Sequence, residues 1–409
     1  MFVHKNQLEY LLNSDDYCSE AHRQAEVENL FLPAWHLGAT KSELPNSGDF
    51  ITVELFGFPV QIRNFNGQFF AYENICTHRH CLLSSEERGN SPTIRCQYHG
   101  WEFKEDGSTG RIPDARCFRP WDRDNSRLRV YRVETCGDLI FVALSDDAPP
   151  LREYLDPFCQ TIEDYFSTPD WQLKDIWEYD CPANWKVPAE NTLETYHIPC
   201  VHPKSFGGIY PSEPAINHIL DERYTVIEYD TGEDPRLDVW QGRVAKWLGT
   251  EPTNIHVHRH IHPHTIIVTS SLFSYIVNYL PASPRMTRVR LRMYSYRGQK
   301  TNLWARYVAW VFAKFSRHTM RQIMQEDLGI FTDQQRGLET SRHPGVLGTR
   351  EERIYVFHRW WMEHMGREIP SDFPSIEDSE FTENSKFTED TEPTKESSTS
   401  DGDQLEPSC

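Results

Sequence analysis

The chain has 409 residues, enough for two domains of ordinary size, each with its own hydrophobic core. Asp and Glu outnumber Lys and Arg by 61 to 42, a formal net charge of -19, which argues against the basic surface that nucleic-acid binding requires. No run reaches the roughly 18 apolar residues that span a bilayer, and residues 1–6 lack the apolar region of a secretion signal, so we expect a cytoplasmic protein without a membrane partner.

The chain begins with a segment predicted to be helical and continues into a region predicted to be all-β. Residues 6–34 place apolar side chains at helical spacing, and their only proline is Pro33, so residues 1–34 are predicted to form a helical segment that packs on the second domain. Residues 35–147 consist of short alternating runs, with Asn66-Gly67 and Asp106-Gly107 between them as hairpin turns would be. This pattern predicts a small all-β domain.

The sequence Asp-Ala-Pro-Pro at 147–150 marks the predicted start of a second domain, residues 148–370. Strand-like runs at 224–227, 265–268 and 288–293 are followed by a long helical stretch from about Asn302 to Gly337. The fold class is therefore predicted to be α+β, with the all-β domain followed by an antiparallel sheet covered by helices.

Residues 371–409 differ in composition from the rest of the chain. They contain 12 acidic and 2 basic residues, many Ser, Thr and Pro, and few apolar side chains. Such a segment cannot bury enough apolar surface to offset the entropy lost on ordering. We therefore expect a disordered acidic tail.

Four potential metal ligands lie in two short motifs of the β region. Cys76 and His78 form Cys-x-His, and after 17 residues Cys96 and His99 form Cys-x-x-His. A tetrahedral zinc ion and a Rieske [2Fe–2S] cluster are both possible, but each motif mixes Cys with His, which suits a cluster with one ligand pair per iron. Six other cysteines show no such pairing and are expected to be buried free thiols: Cys81, Cys117, Cys136, Cys159, Cys181 and Cys200.

The sequences around both motifs resemble the signature of Rieske domains. The matching stretches are Cys-Thr-His-Arg at 76–79 and Cys-Gln-Tyr-His-Gly-Trp at 96–101. His80 departs from the signature, because the family commonly has glycine after the arginine, but no ligand is lost. The resemblance implies that the two cysteines bind one iron and the two histidines bind the other.

A second motif, within residues 184–202, resembles the catalytic motif of Rieske non-haem iron oxygenases. The family has an acid, a histidine three residues later and a second histidine five residues after that, which here are Glu194, His197 and His202. On a helix, Glu194 and His197 would share one face, and Pro199 would bend the chain so that the second imidazole reaches the same metal. The resemblance to this family spans residues 30–338.

A site with two histidines needs a carboxylate to complete a facial triad with open positions for O₂ and substrate. In the family the carboxylate comes from a later helix with an acidic pair, which here is Glu326-Asp327 before Gln-Arg-Gly at 335–337. The resemblance assigns Asp327 as the ligand, with Glu326 as the alternative. Glu194 then matches the acid that links the iron site of one subunit to the cluster histidine of the next.

The resemblance implies the alpha (oxygenase) subunit of a homotrimeric Rieske oxygenase, similar to the quaternary-ammonium and phenylpropionate-dioxygenase-like group. Its cofactors would be a [2Fe–2S] cluster and mononuclear Fe(II), with electrons from NAD(P)H through a separate reductase or ferredoxin. With O₂ it would hydroxylate or demethylate a small organic substrate, and an N-methyl or quaternary ammonium group would suit the aromatic-rich composition through cation–π contacts. The alternatives are dihydroxylation of an aromatic ring and, in a different class, a Rieske electron carrier.

Two further features carry weaker expectations. Histidines alternate from 256 to 264 and would share one face of a strand. Since the family's pocket is lined by this part of the sheet, His260, His262 and His264 are candidate pocket residues. The helical stretch at 301–324 is aromatic and basic, and we expect a packed surface helix there rather than a membrane contact.

Overall fold

The computed structural model describes residues 2–120, 124–205, 212–230 and 235–369. The predicted disordered tail at 371–409 lies outside the described residues. Of the helices in the described ranges, none is both long and apolar enough to cross a membrane.

The N-terminal segment contains a short strand and two short helices instead of one continuous helix. Its elements are β1 Leu8–Glu9, α1 Ser14–Cys18, α2 Glu20–Glu26 and a π-helical turn Val27–Phe31. The side chain of Asn13 accepts the N–H of Asp15 at 2.9 Å and caps α1. β1 pairs with Val346–Leu347. The helical prediction is therefore wrong for residues 6–13. β1 forms by pairing with a strand more than 330 residues away, and such a distant partner cannot be recognised from the local sequence.

The first domain is an all-β structure. Its strands are β2 Trp35–Thr40, β3 Asp49–Leu55, β4 Phe58–Phe65, β5 Gln68–Glu73, β6 Arg88–Asn90, β7 Ile94–Arg95, β8 Glu102–Phe103, β9 Val130–Cys136 and β10 Leu139–Ala143. Seven of them form an antiparallel sheet in the order β2-β10-β9-β5-β4-β3-β6, while β7 pairs with β8. In the turn between β4 and β5, Asn66 and Gly67 have φ values of 54 and 87 degrees. Asn and Gly tolerate this left-handed conformation, so the predicted hairpin turn is confirmed.

The second domain consists of a seven-stranded antiparallel sheet with helices packed on it. Its elements are α3 Leu151–Leu155, α4 Cys159–Phe166, β11 Trp171–Cys181, α5 Lys186–Asn191, α6 Ile198–Val201, β12 Ile216–Leu220, β13 Tyr224–Asp230, α7 Pro235–Leu248, β14 Ile255–Ile261, β15 Thr265–Thr269, β16 Phe273–Ser283, β17 Met286–Tyr296, α8 Leu303–Thr340, β18 Val346–Leu347 and α9 Glu352–His364. The strand order is β11-β17-β16-β15-β14-β13-β12. α8 packs on β11 and β17, and α9 packs on β12 and β13. The predicted α+β fold class is confirmed.

The two large sheets share one hydrophobic core. Trp35 and Phe141 of the first sheet lie in the same cluster as Ile267 and Ile276 of the second, and none of the four is more than 1% exposed. Burying each such side chain contributes about 1.5–3 kcal/mol. The shared core therefore holds the two domains in a fixed relation.

A buried ion pair attaches the N-terminal segment to the second domain. The carboxylate of Glu26 accepts the indole N–H of Trp185 and of Trp361, each at 2.8 Å, and pairs with the ammonium of Lys186. The ammonium also lies 5.1 Å from the ring centre of Tyr17. Both charged side chains are at most 1% exposed, so removing one of them would leave the other charge buried and uncompensated.

Candidate metal centres

Two neighbouring loops of the first domain carry the cysteine–histidine pairs. The N–H of Cys76 donates to the carbonyl of Cys81 at 2.8 Å, and the N–H of Cys96 donates to that of Trp101 at 2.9 Å, so each loop closes on itself. Cys76 and Cys96 are 1% and 3% exposed, whereas His99 lies at the surface. The two thiols therefore point into the domain, and one imidazole lies at its tip.

The two imidazoles of these loops lie side by side. The ring centres of His78 and His99 are 4.7 Å apart, and His78 stacks on Trp101 at an interplanar angle of 3°. Nδ1 of His78 is buried, and no described residue offers it a hydrogen bond. Burial raises the pKa of Cys76 to about 12, so a thiolate there needs a metal ion to stabilise it. A buried nitrogen without a protein partner and a buried thiol pair fit a bound metal cluster.

The distances among the four side chains distinguish one metal ion from two. Around a tetrahedral zinc ion, ligand atoms about 2.0–2.3 Å from the metal lie within about 4 Å of one another. Among the described residues, no three of Cys76, His78, Cys96 and His99 bring their ligand atoms within 4.8 Å of one another. A cluster with one ligand pair on each iron requires such a separation. The geometry therefore favours a two-iron cluster over zinc.

His80, which departs from the Rieske signature, occupies a backbone conformation that favours glycine. Its φ is 57 degrees, and its N–H donates to the carbonyl of Cys76 at 3.0 Å. A side chain in this left-handed region is strained, while glycine is not. The turn around the first loop therefore explains why the family commonly has glycine at this position.

His197, His202 and Asp327 converge at a second site. Oδ1 of Asp327 lies 2.9 Å from Nε2 of His202 and 3.8 Å from Nε2 of His197. The three ligand atoms all lie within 4.8 Å of one another. Oδ1 is buried and faces the Nε2 atoms of both imidazoles. A buried carboxylate oxygen that faces two imidazole nitrogens fits a bound cation.

Each imidazole of this site is oriented through its Nδ1 atom. Nδ1 of His202 lies 2.9 Å from the carboxylate of Glu326, which also accepts the hydroxyl of Ser205 at 2.6 Å. Nδ1 of His197 contacts the carboxylate of Glu194. A carboxylate at Nδ1 fixes the tautomer and turns Nε2 toward a metal. Glu326, the alternative ligand in the sequence, therefore lies on the far side of one imidazole, a positioning role that the sequence did not predict.

The chain between α5 and α6 is not helical, in contrast to the prediction. α5 ends at Asn191 and α6 begins at Ile198. The carboxylate of Glu194 accepts the N–H groups of Tyr196 and His197, the latter at 3.1 Å, as a helix cap does. The prediction of one shared helix face is wrong, but the acid and the imidazole still meet because the capping turn folds them together.

The electrostatics of the site favour a positive charge. Burial alone would lower the pKa of His202, but the carboxylates of Asp327 and Glu326 outweigh this effect and raise it. His202 is 1% exposed. A metal ion would replace a proton here, because a ligating imidazole must be neutral.

A pocket of about 260 Å³ lies in front of these three side chains. Its walls are mainly apolar and aromatic, and they include Tyr229, Phe273, Tyr275, Phe312, Phe315 and Met320. None of the described residues that line it is Lys or Arg. The pocket can therefore surround an apolar or cationic group, but its described walls offer no cation to a substrate carboxylate.

The alternating histidines divide between this pocket and the protein interior. His256 and His258 of β14 line the pocket. The three predicted pocket residues are instead buried in the interior, at most 4% exposed: His260, His262 and His264. That prediction is wrong. His262 and His264 lie beyond Ile261, where β14 ends, so the alternation of faces does not extend to them. His260 is still in β14, but its ring packs against Phe357 of α9, with ring centres 5.4 Å apart, and not in the pocket.

The cysteines outside the loops are free thiols, as predicted, but only some are buried. Cys136, Cys159 and Cys181 are buried, Cys81 is half-buried, and Cys117 and Cys200 are exposed. The prediction of burial is wrong for the last three, because they lie outside the strands and helices that form the core or on the outer face of a short helix.

Two family models match the chain: the Rieske [2Fe-2S] domain over residues 34–132, and the catalytic domain of the ring hydroxylating alpha subunit over residues 169–367. The chain belongs to the Rieske oxygenase alpha subunits. Its first domain is of the kind that binds a [2Fe–2S] cluster, and its second is of the kind that holds mononuclear iron. The family predicted from the motifs is confirmed, while the roles of individual residues as ligands stay predictions.

Relatives in this family act on two types of substrate. The chain is 27% identical over 224 residues to the glycine betaine monooxygenase oxygenase subunit of Pseudomonas aeruginosa, covering 54% of this chain and 47% of the relative. It is 32% identical over 190 residues to the carnitine monooxygenase oxygenase subunit of Acinetobacter pittii (46% and 51%). It is also 32% identical over 196 residues to the anthranilate 1,2-dioxygenase large subunit of Burkholderia cepacia (46% of each). The matches thus span about half the length of these curated relatives.

Solved structures share the fold over most of the chain. A quaternary ammonium Rieske monooxygenase in complex with L-carnitine matches with a TM-score of 0.69 at 21% identity, covering 87% of this chain and 95% of the other. A naphthalene 1,2-dioxygenase with indole in its active site matches with a TM-score of 0.70 at 20% identity, covering 89% and 95%. At 20–21% sequence identity, these similarities show that the chain shares the fold of both structures.

Proposed function

We propose that this chain is the oxygenase component of an enzyme that uses O₂ and electrons from NAD(P)H to hydroxylate or oxidatively demethylate a small organic substrate. The observation that carries the proposal is the convergence of His197, His202 and Asp327 at the wall of an apolar pocket, in a chain that also has the two cysteine–histidine loops. A Rieske electron carrier would need only the first domain and would leave this second site without a purpose.

We propose the ligands that the family resemblance implies, and the geometry of the two sites supports them. They are Cys76 and Cys96 for one cluster iron, His78 and His99 for the other, and His197, His202 and Asp327 for the mononuclear iron. When bound, the cluster supplies single electrons and the mononuclear iron supplies open positions for O₂ and substrate. Glu194 and Glu326 hold the two imidazoles with Nε2 toward the metal, and the aromatic walls exclude water from the reacting group.

We also propose that the chain works as a homotrimer, with a separate reductase or ferredoxin as its electron donor. His99 is exposed at the tip of the first domain, where a neighbouring subunit can reach it. Glu194 contacts His197, and we propose that it also accepts a second imidazole from such a neighbour. A solved relative with this fold is described as showing inter-subunit electron transfer, which supports the same arrangement here.

The pocket supports a substrate with an N-methyl or quaternary ammonium group. Aromatic rings such as Tyr229, Tyr275 and Phe273 line it and can hold a cation through their faces. Dihydroxylation of an uncharged aromatic ring is the second candidate, because the same apolar walls would accept a flat hydrocarbon.

The test is substrate-dependent O₂ uptake by the metal-loaded protein with NADH and a surrogate reductase. Three compounds separate the candidates: a trimethylammonium compound without a carboxylate, its neutral tert-butyl isostere, and an aromatic hydrocarbon. We expect the cation to stimulate O₂ uptake most, with release of an equal amount of formaldehyde if a methyl group is oxidised. Asp327→Asn, which lacks one proposed ligand, is the matched control. Diol formation from the hydrocarbon without any response to the cation would favour ring dihydroxylation instead.

A further inference from the structure

The first half of α8 presents apolar side chains to solvent. We call Leu303, Trp304, Tyr307, Trp310, Val311 and Phe315 the aromatic face. These side chains are between 42% and 82% exposed. Trp240 and Trp247 of α7 adjoin the aromatic face and are 40% and 44% exposed. A soluble protein rarely exposes so many large apolar side chains together unless the surface binds something.

The opposite side of the same helix segment is also apolar. Ala305, Val308, Ala309 and Phe312 are all at most 8% exposed and pack into the second domain. A surface helix normally turns polar side chains outward, whereas the six side chains of the aromatic face are apolar and exposed. The aromatic face therefore lacks its cover in the isolated chain.

The charges around the aromatic face are positive, in a chain whose net charge is -19. Residues 303–324 contain four Lys or Arg and no Asp or Glu. An open groove beside the face is lined by five cations: Lys174, Arg297, Arg306, Lys314 and Arg317. None of the five forms an ion pair with a carboxylate of the described residues. The occupant of this surface is therefore expected to be anionic as well as apolar.

The aromatic face is also continuous with the mouth of the pocket. Phe315, which belongs to the face, and Trp240, which adjoins it, both line the pocket in front of Asp327. A molecule resting on the face is thus beside the entrance to the site.

We propose that the aromatic face is a docking surface for the anionic headgroup layer of a lipid bilayer. Trp and Tyr side chains prefer the boundary between headgroups and acyl chains, and a helix with Lys and Arg beside its apolar side chains lies in that boundary. The core of a protein–protein interface, by contrast, is depleted of Lys, whereas Lys314 lies 4.0 Å from the ring centre of Trp310 in the middle of the face. The inference goes beyond the proposed function and does not depend on it. It also replaces the expectation that this helix makes no membrane contact.

The test is flotation of the metal-loaded full-length protein with vesicles. Vesicles of phosphatidylcholine alone are compared with vesicles of phosphatidylcholine and phosphatidylglycerol, at low and high salt. We expect the protein to float with the anionic vesicles and to be released by salt. Lys314→Ser should weaken binding to the anionic vesicles about fivefold, the effect of one surface cation, and Trp304→Ser/Trp310→Ser should weaken it at least about tenfold because it removes apolar area.

Matched controls lie on other surfaces of the protein. Val346→Ser removes an apolar side chain that is 64% exposed, and Lys104→Ser removes an exposed cation of the first domain. Neither should change flotation. Quenching of tryptophan fluorescence by brominated lipid tests insertion in the unmodified protein and needs no variant. Failure of the unmodified protein to bind either kind of vesicle, or equal binding by the double tryptophan variant, would overturn the proposal. The proposal would also be overturned if the double tryptophan variant, without vesicles, formed a smaller oligomer than the unmodified protein. The aromatic face would then be an interface between copies of the chain.

Discussion

Lowering the pH from 7 to 5.5 should destabilise this protein strongly, because four buried histidines are neutral in the fold. They are His36, His260, His262 and His264, and none is more than 4% exposed. Burial lowers the pKa of His36 to about 4 and that of His260 to about 3, from an ordinary value of 6.5. Burial also lowers the pKa values of His262 and His264 well below 6.5.

The magnitude follows from proton linkage. Because the folded-state pKa is lowered, the contribution of each histidine to stability is complete above pH 6.5 and is lost as the pH falls toward the folded-state value. Between pH 7 and pH 5.5, a histidine of ordinary pKa gains about 1.2 kcal/mol by taking up a proton in the unfolded chain. Four such residues together lower the free energy of unfolding by about 5 kcal/mol, against a total of about 5–15 kcal/mol for a typical domain.

The assay compares urea unfolding of the unmodified protein and of His262→Phe at pH values between 7 and 5.5, with tryptophan fluorescence as the readout. His262 is the best choice because neither ring nitrogen has a hydrogen-bond partner among the described residues, and its ring stacks on Trp360 at 4.6 Å. A phenyl ring can keep that stacking, so the free energy of unfolding of the variant should fall by about 1.2 kcal/mol less between pH 7 and pH 5.5. His343→Phe, at an exposed position, is the control, and its free energy of unfolding should depend on pH as in the unmodified protein. The same pH dependence in His262→Phe as in the unmodified protein would refute the reasoning.

Three further predictions concern the metal sites and the core. Asp327→Ala should lose mononuclear iron while the cluster absorbance remains, and Glu326→Ala should keep most of the iron; metal analysis showing the reverse would exchange their roles. Glu194→Ala should retain both metals but reoxidise its reduced cluster at least about tenfold more slowly in single-turnover assays with O₂ and substrate; a rate equal to that of the unmodified protein would contradict the bridging role. Lys186→Met leaves the buried carboxylate of Glu26 without a compensating charge and should lower the free energy of unfolding by about 3–5 kcal/mol, measured by urea denaturation. A loss below about 1 kcal/mol would show that the carboxyl group of Glu26 becomes neutral in the variant.

The sequence was most informative where ligands lie close together along the chain. Spacing indicated the two cysteine–histidine loops, because such short separations leave the backbone few ways to arrange the ligands. The pair His197 and His202 was assigned by resemblance to the family's catalytic motif. Asp327 could be assigned only by resemblance, since α8 brings it to the site from far along the chain. A shift of one residue along that helix turns a side chain by about 100°, which is why Glu326 lies at Nδ1 of His202 while its neighbour lies at Nε2.

Other features could not be predicted because they depend on contacts between distant segments. β1 forms only because residues 346–347 are available to pair with it. The alternation of His256 and His258 indicated a strand correctly, but no local signal showed that the strand ends at Ile261. The helical spacing of residues 301–324 did predict a helix, but which side of that helix is covered depends on the sheet beneath it.

α8 connects the three functional regions through one rigid element. Its first half carries the aromatic face, its middle lines the pocket with Phe312, Met320 and Ile323, and Asp327 follows one turn later. At about 1.5 Å per residue, Phe315 and Asp327 are about 18 Å apart along the helix axis. A substrate that binds at the surface near Phe315 would therefore need to move only about this distance to lie beside the proposed iron. Since one helix carries both the proposed docking surface and the proposed third ligand, a membrane-bound orientation would fix the direction from which substrate enters.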